Sequence, residues 1–105
     1  MPARIGKDDF EKEVLGSDIP VLVDFYSDSC VPCKMISPLL SQLEEEYSGK
    51  VRIVKVNANF EDELTEQYGI SAAPTLVVFK DGAEVIRRTG TANKDEIIEL
   101  FGSLI

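Results

Sequence analysis

The chain carries two cysteines, Cys30 and Cys33, separated only by Val31 and Pro32. Two intervening residues let the sulfurs close a small disulfide ring, and the thiolate is the species that attacks another disulfide. The pair follows the apolar run Val21–Tyr26 and precedes a helical pattern. That junction sets Cys30 at a helix N-terminus, where unpaired backbone N–H groups stabilise a thiolate. Dithiol–disulfide exchange is the first reading. Two others stay open. A structural disulfide would constrain little of the unfolded chain, because the ring is so short. A zinc site needs about four ligands. The chain has no histidine and no further cysteine, so zinc would require carboxylates or a second chain.

In the exchange reading, Cys30 opens the helix, is the more exposed sulfur and attacks. Cys33, one turn inside and more buried, resolves the mixed disulfide, an intramolecular step with a high effective concentration. Pro32 suits an early helical position and limits the freedom of the reduced loop. Asp24 interrupts the apolar run, where an unpaired carboxylate is costly. It is either a proton acceptor and donor for Cys33, its pKa raised by desolvation, or a strand-end carboxylate reached by water or paired for structural reasons. Lys55 is its obvious charge partner, or else an ordinary exposed lysine. Pro74 stands at the start of a strand, an unremarkable place for proline.

These side chains need elements to hold them. Asp8 or Asp9 is expected to open a short helix carrying Phe10, Val14 and Leu15 and ending near Gly16. Val21–Tyr26 is too continuously apolar for a half-exposed strand, so it belongs at the centre of a sheet. From about Val31 to Tyr47, Met35, Leu39, Leu43 and Tyr47 recur every four residues, joined by Ile36 and Leu40. This predicts an amphipathic helix stopped at Ser48-Gly49 and bent at Pro38. Val51 to Asn57 reads as a second strand, and Asn59 as the cap of a short helix through Tyr68, with Gly69 following it. Thr75 to Phe79 is a third strand. Asp81-Gly82 turns the chain into a hairpin with Ala83 to Arg88. Asn93 caps the last helix in a capping box with Glu96. Its residues Ile97, Ile98, Leu100, Phe101 and Leu104 face a core. Strands alternating with helices and ending in a hairpin describe an α/β fold with a mixed sheet and helices on both faces.

The 105 residues suit a single domain. Eleven Lys and Arg against nineteen Asp and Glu leave a net charge of −8, which disfavours nucleic acid and anionic membranes as partners. The run Glu44-Glu45-Glu46 reads as a solvated helix face. Met1 to Lys7 lacks the apolar stretch of a signal peptide, so a cytoplasmic location is expected.

Taken together the residues resemble the thioredoxin family. Val21-Leu22-Val23-Asp24-Phe25, Cys30-Val31-Pro32-Cys33-Lys34-Met35-Ile36, Ser37-Pro38, Val54-Lys55-Val56-Asn57, Tyr68-Gly69-Ile70, Ala73-Pro74-Thr75, Phe79-Lys80-Asp81-Gly82 and Gly90 fall in family order along the whole chain. The resemblance implies a thioredoxin fold, a central mixed sheet flanked by four helices. It implies a cis-proline at Pro74 facing the cysteines, and a buried Asp24 behind Cys33 with Lys55 beside it. Val31, Pro32, Ala73, Pro74, Thr75, Thr89, Gly90 and Thr91 then fall on the surface that grips an extended substrate segment. The implied activity is reduction of protein disulfides with no bound cofactor and no metal. The implied partners are disulfide-containing proteins and a flavoprotein reductase, NADPH-dependent or ferredoxin-dependent, with the chain itself a monomer. Pro32 stands where oxidising relatives and isomerases usually carry histidine, which favours reduction. Two alternatives accompany this reading: a thioredoxin-fold binding or scaffold module, and a dedicated reductant of one partner enzyme. The family's usual Trp-Cys-Gly-Pro-Cys here reads Ser29-Cys30-Val31-Pro32-Cys33.

Overall fold

A computed structural model describes residues 1–105. Its five strands are β1 (Ala3–Arg4), β2 (Val21–Tyr26), β3 (Arg52–Asn57), β4 (Thr75–Lys80) and β5 (Ala83–Thr89). They form one mixed sheet in the order β1-β3-β2-β4-β5. β3 runs parallel to both β1 and β2, whereas β4 is antiparallel to β2 and β5 to β4. β2, apolar except for Asp24, is therefore central and buried along its whole length.

Side-chain alternation sorts the core into two layers. Leu22, Ile53, Leu76 and Val78 point to one face and pack against Ile36, Leu40 and Leu43 of α2 (Val31–Glu46) and Ile97, Leu100 and Phe101 of α4 (Lys94–Phe101). Val21, Val23, Phe25, Val54, Val56, Val77 and Phe79 point to the other. There they meet Phe10 of α1 (Lys7–Phe10), Val14 of the π-helical segment Glu11–Leu15 that continues it, and Leu64 of α3 (Asp62–Gln67). Helices cover both faces, so an alternating sequence has become a three-layer α/β fold.

Several local expectations hold for their stated reasons. Asp81 and Gly82 both have positive φ, 54° and 82°, the conformation a two-residue hairpin turn demands. At α4, Asn93 Oδ1 accepts from the Glu96 N–H at 2.8 Å and Glu96 Oε1 accepts from the Asn93 N–H at 3.0 Å. Others differ. The first helix starts at Lys7, not at Asp8 or Asp9, because Glu61 takes the Lys7 N–H at 2.9 Å from across the molecule. Asn59 does not cap α3. Its N–H is held by Asn57 Oδ1 at 2.9 Å, and the helix begins at Asp62. Met35 is 66% exposed, off the buried row Cys33, Ile36, Leu40 and Leu43. A spacing of four residues drifts about 40° per step around a helix, which carries the Met35 end of that row away from the sheet. The short β1 was not expected.

Candidate active site

The C-terminal end of β2 delivers the chain to Cys30, which is the N-cap of α2 with extended backbone angles (φ −89°, ψ 108°). Val31 and Pro32 form the first helical positions. Pro32 fits because the N–H it lacks has no helical partner at that point. Cys30 Sγ accepts the Cys33 N–H at 3.0 Å, so a helix N-terminal donor points at the first sulfur. Cys30 and Cys33 are joined as a disulfide with Cα atoms 5.2 Å apart, within the usual range. The exposure of the two residues, 9% and 5%, follows the expected order, but the difference is small. No group of three His, Cys, Asp or Glu side chains is arranged to hold a metal ion.

Asp24 is wholly buried on β2, and neither carboxylate oxygen has a hydrogen-bond partner. Desolvation raises its pKa and the charge of Lys55 draws it part of the way back, leaving it at about 7. Strand register sets Asp24 opposite Lys55 on β3. Alternation places both on the α2 face, where the Lys55 ammonium donates to Ser37 Oγ at 3.4 Å. The same ammonium lies 4.6 Å from the ring centroid of Tyr26, a cation–π contact. Cys33, Tyr26, Ser37 and Lys55 line one recess of about 160 Å³, together with Asp28 and Lys34. Lys55 is thus no free edge lysine.

The third component comes from the loops beside β4. The Ala73–Pro74 bond is cis, and Ala73 packs against a cluster of Tyr26, Cys30 and Cys33. Pro74 and Thr75 are buried. Thr75 Oγ1 donates to the Ala72 carbonyl at 2.7 Å and lies 3.4 Å from Thr89 Oγ1. Gly90, with φ 98°, donates its N–H to the Pro74 carbonyl at 2.9 Å, and Thr91 is exposed next to it. Ala58, Ile70, Ala72 and Ala73 help line a shallow recess of about 200 Å³. Val31 and Met35 expose apolar surface on successive turns of α2.

Three residues at this site escaped the sequence reading. Tyr26 packs directly on both cysteines, and its place two residues after Asp24 on the same strand face was a usable signal. Ser37, four residues after Cys33 on the same helix face, was another. Asp28 accepts from Asn57 Nδ2 at 3.1 Å and from Asn59 Nδ2 at 3.4 Å, bracing the loop before Cys30. That contact joins two loops distant in sequence and left no local trace.

Comparison with known proteins agrees with this arrangement. The family model described as Thioredoxin matches residues 2–102. Thioredoxin 1 of a Nostoc species is 41% identical over 92 residues, covering 88% of this chain and 86% of its own. The thioredoxin of Haemophilus influenzae is 42% identical over 102 residues, covering 97% and 95%. That of Rickettsia felis is 36% identical over 105 residues and covers both chains completely. A thioredoxin fold presenting a Cys-Val-Pro-Cys disulfide at a helix N-terminus, matched over nearly its full length by these relatives, belongs to the thioredoxin family of protein-disulfide oxidoreductases.

Proposed function

We propose that the chain is a monomeric, cytoplasmic reductant of protein disulfides in which Cys30 attacks and Cys33 resolves. The observation carrying this reading is the N-cap position of Cys30, with the Cys33 N–H aimed at its sulfur at 3.0 Å. Those donors favour negative charge on Cys30 in the reduced protein. The Cys30 thiolate attacks one sulfur of a substrate disulfide and expels the other as a thiol after protonation. Cys33 then gives up its proton and attacks Cys30, which releases the second substrate thiol and leaves the Cys30–Cys33 disulfide. Two electrons pass to the substrate. A reductase then supplies two more electrons to the Cys30–Cys33 disulfide and regenerates the dithiol.

Asp24 is the proton acceptor and donor for Cys33. A carboxyl with a pKa of about 7 exchanges protons near neutrality, where an ordinary aspartate is already ionised. Lys55 moderates that value and lines the same recess as Cys33. Val31, Pro32, Ala73, Pro74, Thr75, Thr89, Gly90 and Thr91 form or hold the face against which an extended substrate segment lies. The shallow recess at Ala58, Ala72 and Ala73 leaves room for an apolar side chain of that segment.

Membership of the family brings disulfide-containing proteins as substrates and a reductase as partner. A flavoprotein, NADPH-dependent or ferredoxin-dependent, fits that second role. A cytoplasmic location suits a dithiol that works by being kept reduced. Insulin reduction driven by dithiothreitol tests the activity. Wild type is expected to accelerate precipitation of the insulin B chain, and Cys30→Ser is expected to abolish the acceleration. A wild-type rate no faster than that of Cys30→Ser would contradict the enzymatic reading and favour a binding module.

A further inference from the structure

We propose that Arg88 is a positioning residue that fixes which backbone groups the substrate-gripping rim offers. This rests on the reading of Ala73 and Thr91 as substrate-contacting positions. The rim segment Thr89-Gly90-Thr91 links β5 to α4 and is tied down at both ends. On one side Gly90 donates to the Pro74 carbonyl at 2.9 Å. On the other, Arg88 Nε donates to the Thr91 carbonyl at 3.1 Å, and its Nη2 reaches Glu96 Oε2 at 2.9 Å. Glu96 Oε1 in turn accepts the Asn93 N–H at 3.0 Å. One guanidinium therefore joins the rim to the first turn of α4 through two donors held in a fixed planar fork.

A full account of the backbone groups shows the consequence. The Thr91 N–H has no partner within the chain, nor do the N–H and C=O of Ala73. The Thr91 C=O is occupied by Arg88. At position 91 the rim thus offers a donor and withholds an acceptor, while Ala73 offers both. An extended segment must bring an acceptor to Thr91, which restricts the direction and register in which it can lie. Arg88 touches neither cysteine, and its role is confined to substrates long enough to span the rim.

The test compares pre-reduced wild type with Arg88→Ala, Arg88→Lys and Glu96→Gln, oxidised in single turnovers by insulin or by bis(2-hydroxyethyl) disulfide. The small disulfide cannot reach the rim. For Arg88→Ala the half-saturating insulin concentration should rise about five-fold, the factor for one lost hydrogen bond. The limiting rate and the rate with the small disulfide should stay unchanged. Arg88→Lys keeps a charge but loses the rigid fork that holds both partners, so it should fall between wild type and Arg88→Ala. Glu96→Gln retains a capping-box residue at that position yet loses the ion pair, and should shift insulin binding about two-fold in the same direction. Unchanged half-saturation in Arg88→Ala and Glu96→Gln would overturn the role of Arg88. So would an equal loss with both disulfides. Wild type unable to reduce insulin would instead contradict the proposed function itself.

Discussion

Asp24 gathers most of the unusual physical chemistry of single residues in this chain. Its carboxylate oxygens are buried without hydrogen bonds, and burial lifts its pKa to about 7. An unfolded chain would release that proton near pH 4. Between about pH 4 and 7 the folded state therefore binds more protons than the unfolded state, so stability falls as pH rises through that window. Above it the full penalty, up to about 4 kcal/mol, persists. Asp24→Asn should raise stability by up to that amount at pH 8 and by little at pH 4, read from urea unfolding of the oxidised protein. An equal gain at both pH values would show that the carboxylate charge is not the cause. The same variant should slow release of substrate from the mixed disulfide, because in the proposed mechanism Cys33 loses its proton acceptor. Asp24 stood out in the sequence as a charge inside an apolar run. Its partner could be named as Lys55, but the further contacts of Lys55 with Ser37 and Tyr26 depend on how α2 settles on the sheet.

Elements were legible where local chemistry decides them and obscure where a distant partner does. The Asp81-Gly82 turn, the Asn93 capping box and the continuously apolar β2 each carry their reason within a few residues. The start of α1 does not, since Glu61 supplies its terminal acceptor from the loop before α3. The strand β1 is two exposed residues paired to β3, too short for any period to show. The hairpin supports a direct prediction. Gly82 has φ 82°, and an added Cβ would lie 3.4 Å from the Leu15 carbonyl oxygen. Gly82→Ala should cost about 1–2 kcal/mol, the penalty of a left-handed conformation for an L-residue. Insulin reduction per folded molecule should be unchanged, because the turn lies at the far end of β4 from Thr75. A neutral effect on the thermal midpoint would mean that the turn relaxes to another type.

For the whole molecule, the disulfide sits at one edge of a completed two-layer core. Both apolar clusters close within a single chain, and α2 connects the larger one to the cysteines. Phe101 is fully buried in that larger cluster and meets Tyr47 edge-on, ring centroids 5.2 Å apart. Phe101→Ala should cost about 3–5 kcal/mol, measured by denaturant unfolding. A loss below about 1 kcal/mol would show that α4 contributes little to the core. A core closed within one chain is compatible with the proposed monomer. Light scattering after size exclusion should return 11.6 kDa. Twice that mass would contradict the monomer. The fold class and the cysteine site were visible in the sequence because strand, helix and hairpin signals came in an order few topologies satisfy. The proposed substrate rim was reachable only through family resemblance. Its residues Ala73, Thr89, Gly90 and Thr91 are chemically plain, and what distinguishes them is their place in the fold, with unpaired backbone groups at Ala73 and at the Thr91 N–H.

The division of labour between the two sulfurs is the central claim, and trapping the mixed disulfide tests it most directly. Reduced Cys33→Ser and Cys30→Ser proteins are each mixed with a disulfide-containing protein, quenched with acid and mapped by peptide mass spectrometry. The account predicts a stable adduct on Cys30 of Cys33→Ser, and far slower adduct formation on Cys33 of Cys30→Ser. Adducts forming at equal rates on the two variants, or faster on Cys33, would contradict it.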